Sequence, residues 1–315
     1  MPIARMNFHK FGSSKNKNMK NKLIIAVLLV GLMAVPVLAQ DFAFRVMATK
    51  GANEVKSGDT WQPIKGFMQI KATDEIKVVD NGYLGLMHAK GSSLEVRQAG
   101  VYKVADLSQK VAGGSSLMNK YADFMLSNNA EGKKNKLSAT GAVHRGFGLD
   151  VYLPENQYAD IFFDKITVKW QPAKTGGPYV VTVTDMFGEE LAKQEPQEAQ
   201  VQFDLSRPEF AKQDNLLVVV YAKADPANQS DSYLVKRLSK AHREAVQKSL
   251  VDLNSGFQED NALKHFVLAS YFEEQKLFID AIGEYELAIK MAPDVDAYKE
   301  AYEDFLLRNR LKDNK

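Results

Sequence analysis

Residues 268–294 read "LASYFEEQKLFIDAIGEYELAIKMAPD". Apolar, small and aromatic residues recur there at steps of three and four, at Leu268, Ala269 and Phe272 and then at Ala281, Tyr285 and Ala288. That period belongs to helices. The same period holds on both sides. After Pro226, Leu234, Leu238, Ala241 and Ala245, with Val246, Leu250 and Leu253 beside them, predict one long amphipathic helix that ends near Gly256. Downstream, "DAYKEAYEDFLLRNRL" places Tyr298, Tyr302 and Phe305 on one face of a closing helix. Residues 229–315 therefore read as a helical domain.

Counted from Ala262, this stretch resembles the tetratricopeptide repeat, two antiparallel helices in about 34 residues whose small side chains allow close approach while aromatics fill the space alongside. Leu268 and Ala269 match the large and small positions of the first helix, and Phe272 stands where tyrosine is usual. Ala281, Tyr285 and Ala288 match the second helix, and Pro293 matches the closing proline. His265 departs from the pattern, which often carries Trp there. The resemblance implies that a ligand meets the concave face of the first helix, at Leu263, Phe266, Ser270, Glu273 and Glu274, the candidate partner-binding residues. Two acids and no Lys or Arg at those positions argue against a clamp for peptide carboxylates. One unit with a closing helix is too short for the groove that arrays of three or more build, so the long helix before Gly256 is expected to supply a missing wall.

Upstream, residues 148–225 change to period two. Ile166, Val168 and Trp170 fall on one face, as do Tyr179, Val181 and Val183, then Val201, Phe203 and Leu205. "NLLVVVYAK" reads as a nearly continuous buried strand. A Trp closing an early strand, followed by "GGPYVVTVTDMFGEEL" with a turn at Phe187 and Gly188, resembles a fibronectin type III or other immunoglobulin-like sandwich. That resemblance implies a spacer or interaction module.

Residues 108–147 have another texture. Leu117, Tyr121, Phe124 and Met125 lie at helical spacing, and a polar, glycine-bearing connector with Lys133, Lys134 and Lys136 follows. Residues 40–107 return to short alternating runs. Phe42, Phe44, Val46 and Ala48 share a face, and "DEIKVVD", "YLGLMHA", "SLEVRQ" and "GVYKVADL" follow between glycines, which predicts an antiparallel β domain. Gly58 with Asp59 before an opening strand, and Gly91, Ser92 and Leu94 in a later hairpin, resemble the FecR-like periplasmic domain. The fold class expected is thus multi-domain α+β: an N-terminal all-β domain, a central β-sandwich and a C-terminal α-helical repeat.

The chain opens with Arg5, Lys10, Lys15, Lys17, Lys20 and Lys22 and no acid, then "LIIAVLLVGLMAVPVLA". A basic start, a short apolar run broken by Pro36 and small residues at Val37 and Ala39 describe a signal peptide over residues 1–39, cleaved after Ala39. A retained anchor is the rival reading, and Met19 is an alternative start. Of the 41 Lys+Arg, those six leave with the leader, so 35 remain against 39 Asp+Glu, and the mature chain is acidic by about 4 charges. Nothing then draws it toward nucleic acid. There is no cysteine, so neither disulfides nor a lipobox anchor are available, and stability must come from packed cores.

Chemistry leaves few local marks. The five histidines show no metal-ligand spacing, and no G-x-S-x-G or P-loop occurs. His144 and Arg145 in a glycine loop are the nearest approach to an active-site fragment, and Glu189 and Glu190 read as solvated turn residues. Catalytic residues, metal and cofactor are all expected to be none. The sequence predicts an exported, non-enzymatic adaptor or scaffold of the periplasm or cell surface, binding another envelope protein and keeping no membrane span after cleavage. A membrane-tethered FecR-like signalling component is one alternative, and a glycan-binding module or unrecognised hydrolase another.

Overall fold

A computed structural model describes residues 42–111, 113–135 and 148–312, with side chains from 129 to 135 excepted. The signal peptide expected over residues 1–39, Lys136, His144 and Arg145 lie outside the described residues, as do the side chains of Lys133 and Lys134. From Phe42 onward the chain is one compact α+β unit with β-sheets at its N-terminal end, further sheets in the middle and a helical cluster toward the C-terminus.

Eight short strands open the fold: β1 (Phe44–Lys50), β2 (Glu54–Ser57), β3 (Thr60–Pro63), β4 (Gln69–Ile70), β5 (Glu75–Val78), β6 (Tyr83–His88), β7 (Ser93–Val96) and β8 (Gly100–Lys103). They form two antiparallel sheets, ordered β4-β1-β6-β7 and β3-β2-β5-β8. Phe44, Val46, Leu84 and Leu86 from the first sheet meet Val55, Ile76 and Val78 from the second in a shared core. The first sheet is buried on its other face too, where Met47, Ala48, Tyr83 and Met87 join the helical core.

Two expectations change here. The register of β1 against β6 shifts between Val46 and Ala48, and this bulge carries Ala48 away from the face of Phe44 and Val46. "GVYKVADL" is strand only as far as Lys103, because Val104–Lys110 form helix α1, which turns Val104 and Leu107 under the second sheet.

Helix α2 (Ser116–Asn135) leads toward the middle of the chain. There β9 (Asp160–Ile161), β10 (Lys165–Lys169), β11 (Tyr179–Thr184), β12 (Glu190–Gln194), β13 (Gln200–Asp204), β14 (Asn215–Ala222) and β15 (Tyr233–Arg237) make a pair, β10-β13, and a five-stranded sheet, β12-β11-β14-β15-β9. Val168 and Phe203 on the pair, with Trp170 directly after β10, pack with Tyr179, Val181, Val218 and Val220 on the larger sheet. The "NLLVVVYAK" strand alternates: Leu216, Val218, Val220 and Ala222 are buried, while Leu217, Val219 and Tyr221 are only half-buried. Leu234 belongs to β15 and not to a long helix, since its strand pairs β14 in register Leu217↔Leu234 and β9 beyond it.

The helical cluster comprises α2, α3 (Lys240–Asn254), α4 (Ala262–Glu274), α5 (Phe278–Met291) and α6 (Asp296–Arg308). Asn261 caps α4 by accepting from the Lys264 N–H at 3.0 Å. Leu268, Ala269 and Phe272 on α4 and Ala281, Tyr285 and Ala288 on α5 are all buried, and α3 adds Val246, Leu250 and Leu253 to the same core. The middle sheets lock onto this hairpin through Asp280 in the first turn of α5, whose carboxylate accepts from the Phe162 and Phe163 N–H groups, each at 2.8 Å.

Candidate functional site

The first sheet docks on α4 at Leu263. Gly85 of β6 faces Leu263: a Cβ at residue 85 would lie 3.4 Å from the Leu263 Cδ1, an ordinary contact, and 3.1 Å from the Tyr83 hydroxyl, a tighter one. The Leu263 N–H donates to Glu95 at 2.9 Å, and Glu95 also accepts from the Tyr83 hydroxyl at 2.8 Å. Tyr83 in turn shares a hydrogen bond with Tyr298 of α6. Burial pushes both phenols up, so they stay neutral. Ion pairs at the margin, Lys50 with Asp294 and Arg45 with Asp123, tie β1 to the segment before α6 and to α2.

Between these elements the packing leaves a cavity of about 460 Å³. Its apolar wall is Met47, Phe67, Met125 and Phe266, with Tyr285 at depth, and its rim carries Lys65 together with Asp296, Glu300 and Asp304 on one face of α6. The tyrosine hydroxyl is pushed well up by burial and then by the nearby Glu273 charge, so it offers a neutral O–H. Phe67 sits at φ +62°, a left-handed conformation in which a bulky side chain is an outlier, and its N–H donates to the Val46 carbonyl at 2.7 Å. Such a placement costs about 1–3 kcal/mol and tends to occur where a side chain must be aimed.

The five residues expected to meet a partner have separate fates. Phe266 and Ser270 are buried at the cavity wall, with the Phe266 ring 4.9 Å from that of Tyr298. Glu273 is also buried, and it receives Arg308 Nη2 at 2.8 Å, Arg308 Nε at 3.0 Å and Asn309 Nδ2 at 2.9 Å. This pairing fixes Arg308 at the cavity edge. Leu263 lies under the first sheet, and Glu274 pairs with Lys120 of α2 at 2.9 Å, away from the cavity. The surface expected at these positions is thus largely an internal one, because "FRVMA" and "YLGLM" are buried on both faces and the sheet packs its second face here. His265 is likewise internal, its Nδ1 2.6 Å from Glu284.

The site combines an aromatic and methionine wall, adaptable in shape, with a charged rim. That composition suits binding by burial and electrostatic selection. Among the described residues no group of three His, Asp or Glu side chains is arranged to hold a metal ion, and no helix is long and apolar enough to cross a membrane. Sequence reasoning missed Met47, Phe67, Met125 and Glu300; the one local hint was the glycine before Phe67 in "IKGFMQI". No protein-family model matches the chain, and no curated protein matches it.

Proposed function

We propose that this chain is an exported, non-enzymatic envelope protein of the periplasm or cell surface that acts as a protein–protein interaction adaptor, with a FecR-like β domain, an immunoglobulin-like middle module and a tetratricopeptide-like helical end. The leader pattern at residues 1–39 supports export, and the offsets from Ala262 to Pro293 support the repeat. The observation that carries the binding role is the cavity itself, lined by Phe67 at positive φ and by Phe266 and Tyr285, with the acids of α6 along it. A partner protein inserts an apolar side chain there, and Glu300 selects its charge.

The test is copurification from envelope extracts with the full chain and with Glu300→Arg, whose side chain is exposed so that the fold should be unaffected. We expect a discrete partner with the wild-type chain and a loss of about tenfold or more in the variant. Recovery of nothing above a scrambled control, or equal recovery by both chains, overturns the proposal.

A further inference from the structure

The turn between β11 and β12 presents two large apolar side chains that the fold does not use. Phe187 is 95% exposed, more than any other large apolar residue among those described, and its neighbour Met186 is 53% exposed. The turn needs neither of them. Asp185, itself buried, accepts through Oδ1 from the Phe187 N–H at 2.8 Å and the Glu189 N–H at 2.9 Å. The Asp185 N–H donates to the Glu189 carbonyl at 3.0 Å, and Gly188 takes φ +88° to close the loop. Asp at the first position and Gly at the last satisfy the turn chemistry, leaving the two central positions open to small or polar residues. They carry Met and Phe instead, on a backbone braced at its base by these three hydrogen bonds and by a fourth from the Gly188 N–H to the Asp185 carbonyl at 3.3 Å.

We propose that Met186 and Phe187 form a rigid docking knob for an apolar pocket, bordered by Lys or Arg, on a different protein. Rigidity lowers the ordering cost of binding, and aromatic anchors supply much of the energy at interfaces. The border chemistry follows from Glu189 and Glu190, both exposed and directly after the knob, which enter the rim of any pocket that takes Phe187. Those carboxylates disfavour an anionic bilayer surface. They also disfavour a second copy of this chain, whose aromatic-walled cavity carries Asp296, Glu300 and Asp304 on its rim and would set like charges together. The knob and the cavity draw on different residues, so either can fail without the other.

The experiment places the photoreactive phenylalanine analogue p-benzoyl-L-phenylalanine at position 187 of the full chain and irradiates the cells that produce it. The control position is Gln197, exposed in the turn at the far end of β12. We expect one protein adduct from position 187, absent from position 197, whose yield falls about tenfold when Glu189→Lys and Glu190→Lys are added. Thermal melting of each purified variant checks that the fold is intact, and a probe at position 186 combined with Phe187→Ser should lose the same adduct. No adduct, an adduct of twice the chain mass, crosslinks to lipid alone, or a protein adduct indifferent to charge reversal would each overturn the proposal.

Discussion

Phe67 is costly where it stands. Its φ of +62° belongs to the region that glycine occupies freely, yet its ring packs against the helical core at the cavity wall. Comparing Phe67→Ala with Phe67→Gly isolates the backbone contribution, because both remove the ring. In an ordinary strand or helix the glycine variant would be the weaker one, by roughly 0.5–1 kcal/mol. Here we expect the order to invert, with Phe67→Gly more stable than Phe67→Ala by about 1 kcal/mol in urea unfolding; the usual order would remove the argument for strain. At this scale the sequence was legible where residues turn inward at a fixed period, as at Ala269, Phe272, Ala281 and Tyr285. It was silent on what meets this side of α4, because Leu263 and Phe266 lie beside residues such as Gly85 and Met47 whose distance along the chain leaves no local mark.

Helix α5 joins the middle sheets to the helical cluster through Ile279, the Glu286–Lys169 pair and one buried carboxylate. Asp280 is pushed up to about 7, by burial first and by the Glu284 charge as a lesser cause, against the lowering effect of the Phe163 and Phe162 N–H donors and of Arg243. His265 faces Glu284 from α4. A carboxyl whose folded pKa lies above its unfolded value holds its proton more tightly in the folded state. Its contribution to stability is complete below about pH 4 and is lost as the pH rises toward 7, with a slope of up to about 1.4 kcal/mol per pH unit. Melting temperatures should therefore fall between pH 5 and about pH 7 in the wild-type chain, and Asp280→Asn should flatten that segment whatever it does to absolute stability. An unchanged slope in the variant would assign the effect to other groups. Period-two and helical patterns identified most elements, but Leu234 and Val104 went to the other type because sheet pairing and core closure outrank local period.

Across the whole molecule the three apolar clusters interlock. Tyr152 and Phe162 from the middle of the chain enter the helical core, Ile279 of α5 enters the core of the middle sheets, and the first sheet is shared between its own core and the helices. Modules joined only by linkers would melt separately. Here we expect one calorimetric transition, with calorimetric and van't Hoff enthalpies in agreement, and two resolved transitions would contradict the shared core. The helical end was readable from its period, although the change comes after β15 and not at Pro226, whereas the interlocking was not, since it depends on both faces of β1 and β6 being buried against different neighbours.

The hydrogen bond between Tyr83 and Tyr298 joins positions 215 residues apart. A chain synthesised from its N-terminus therefore holds a sheet face that α2 and α4 cover in part and that stays unfinished at Tyr83 until α6 arrives. The N-terminal sheets are thus completed by helix α6, so we expect a product cut short before Tyr298 to expose part of that face and to be degraded faster than the full chain.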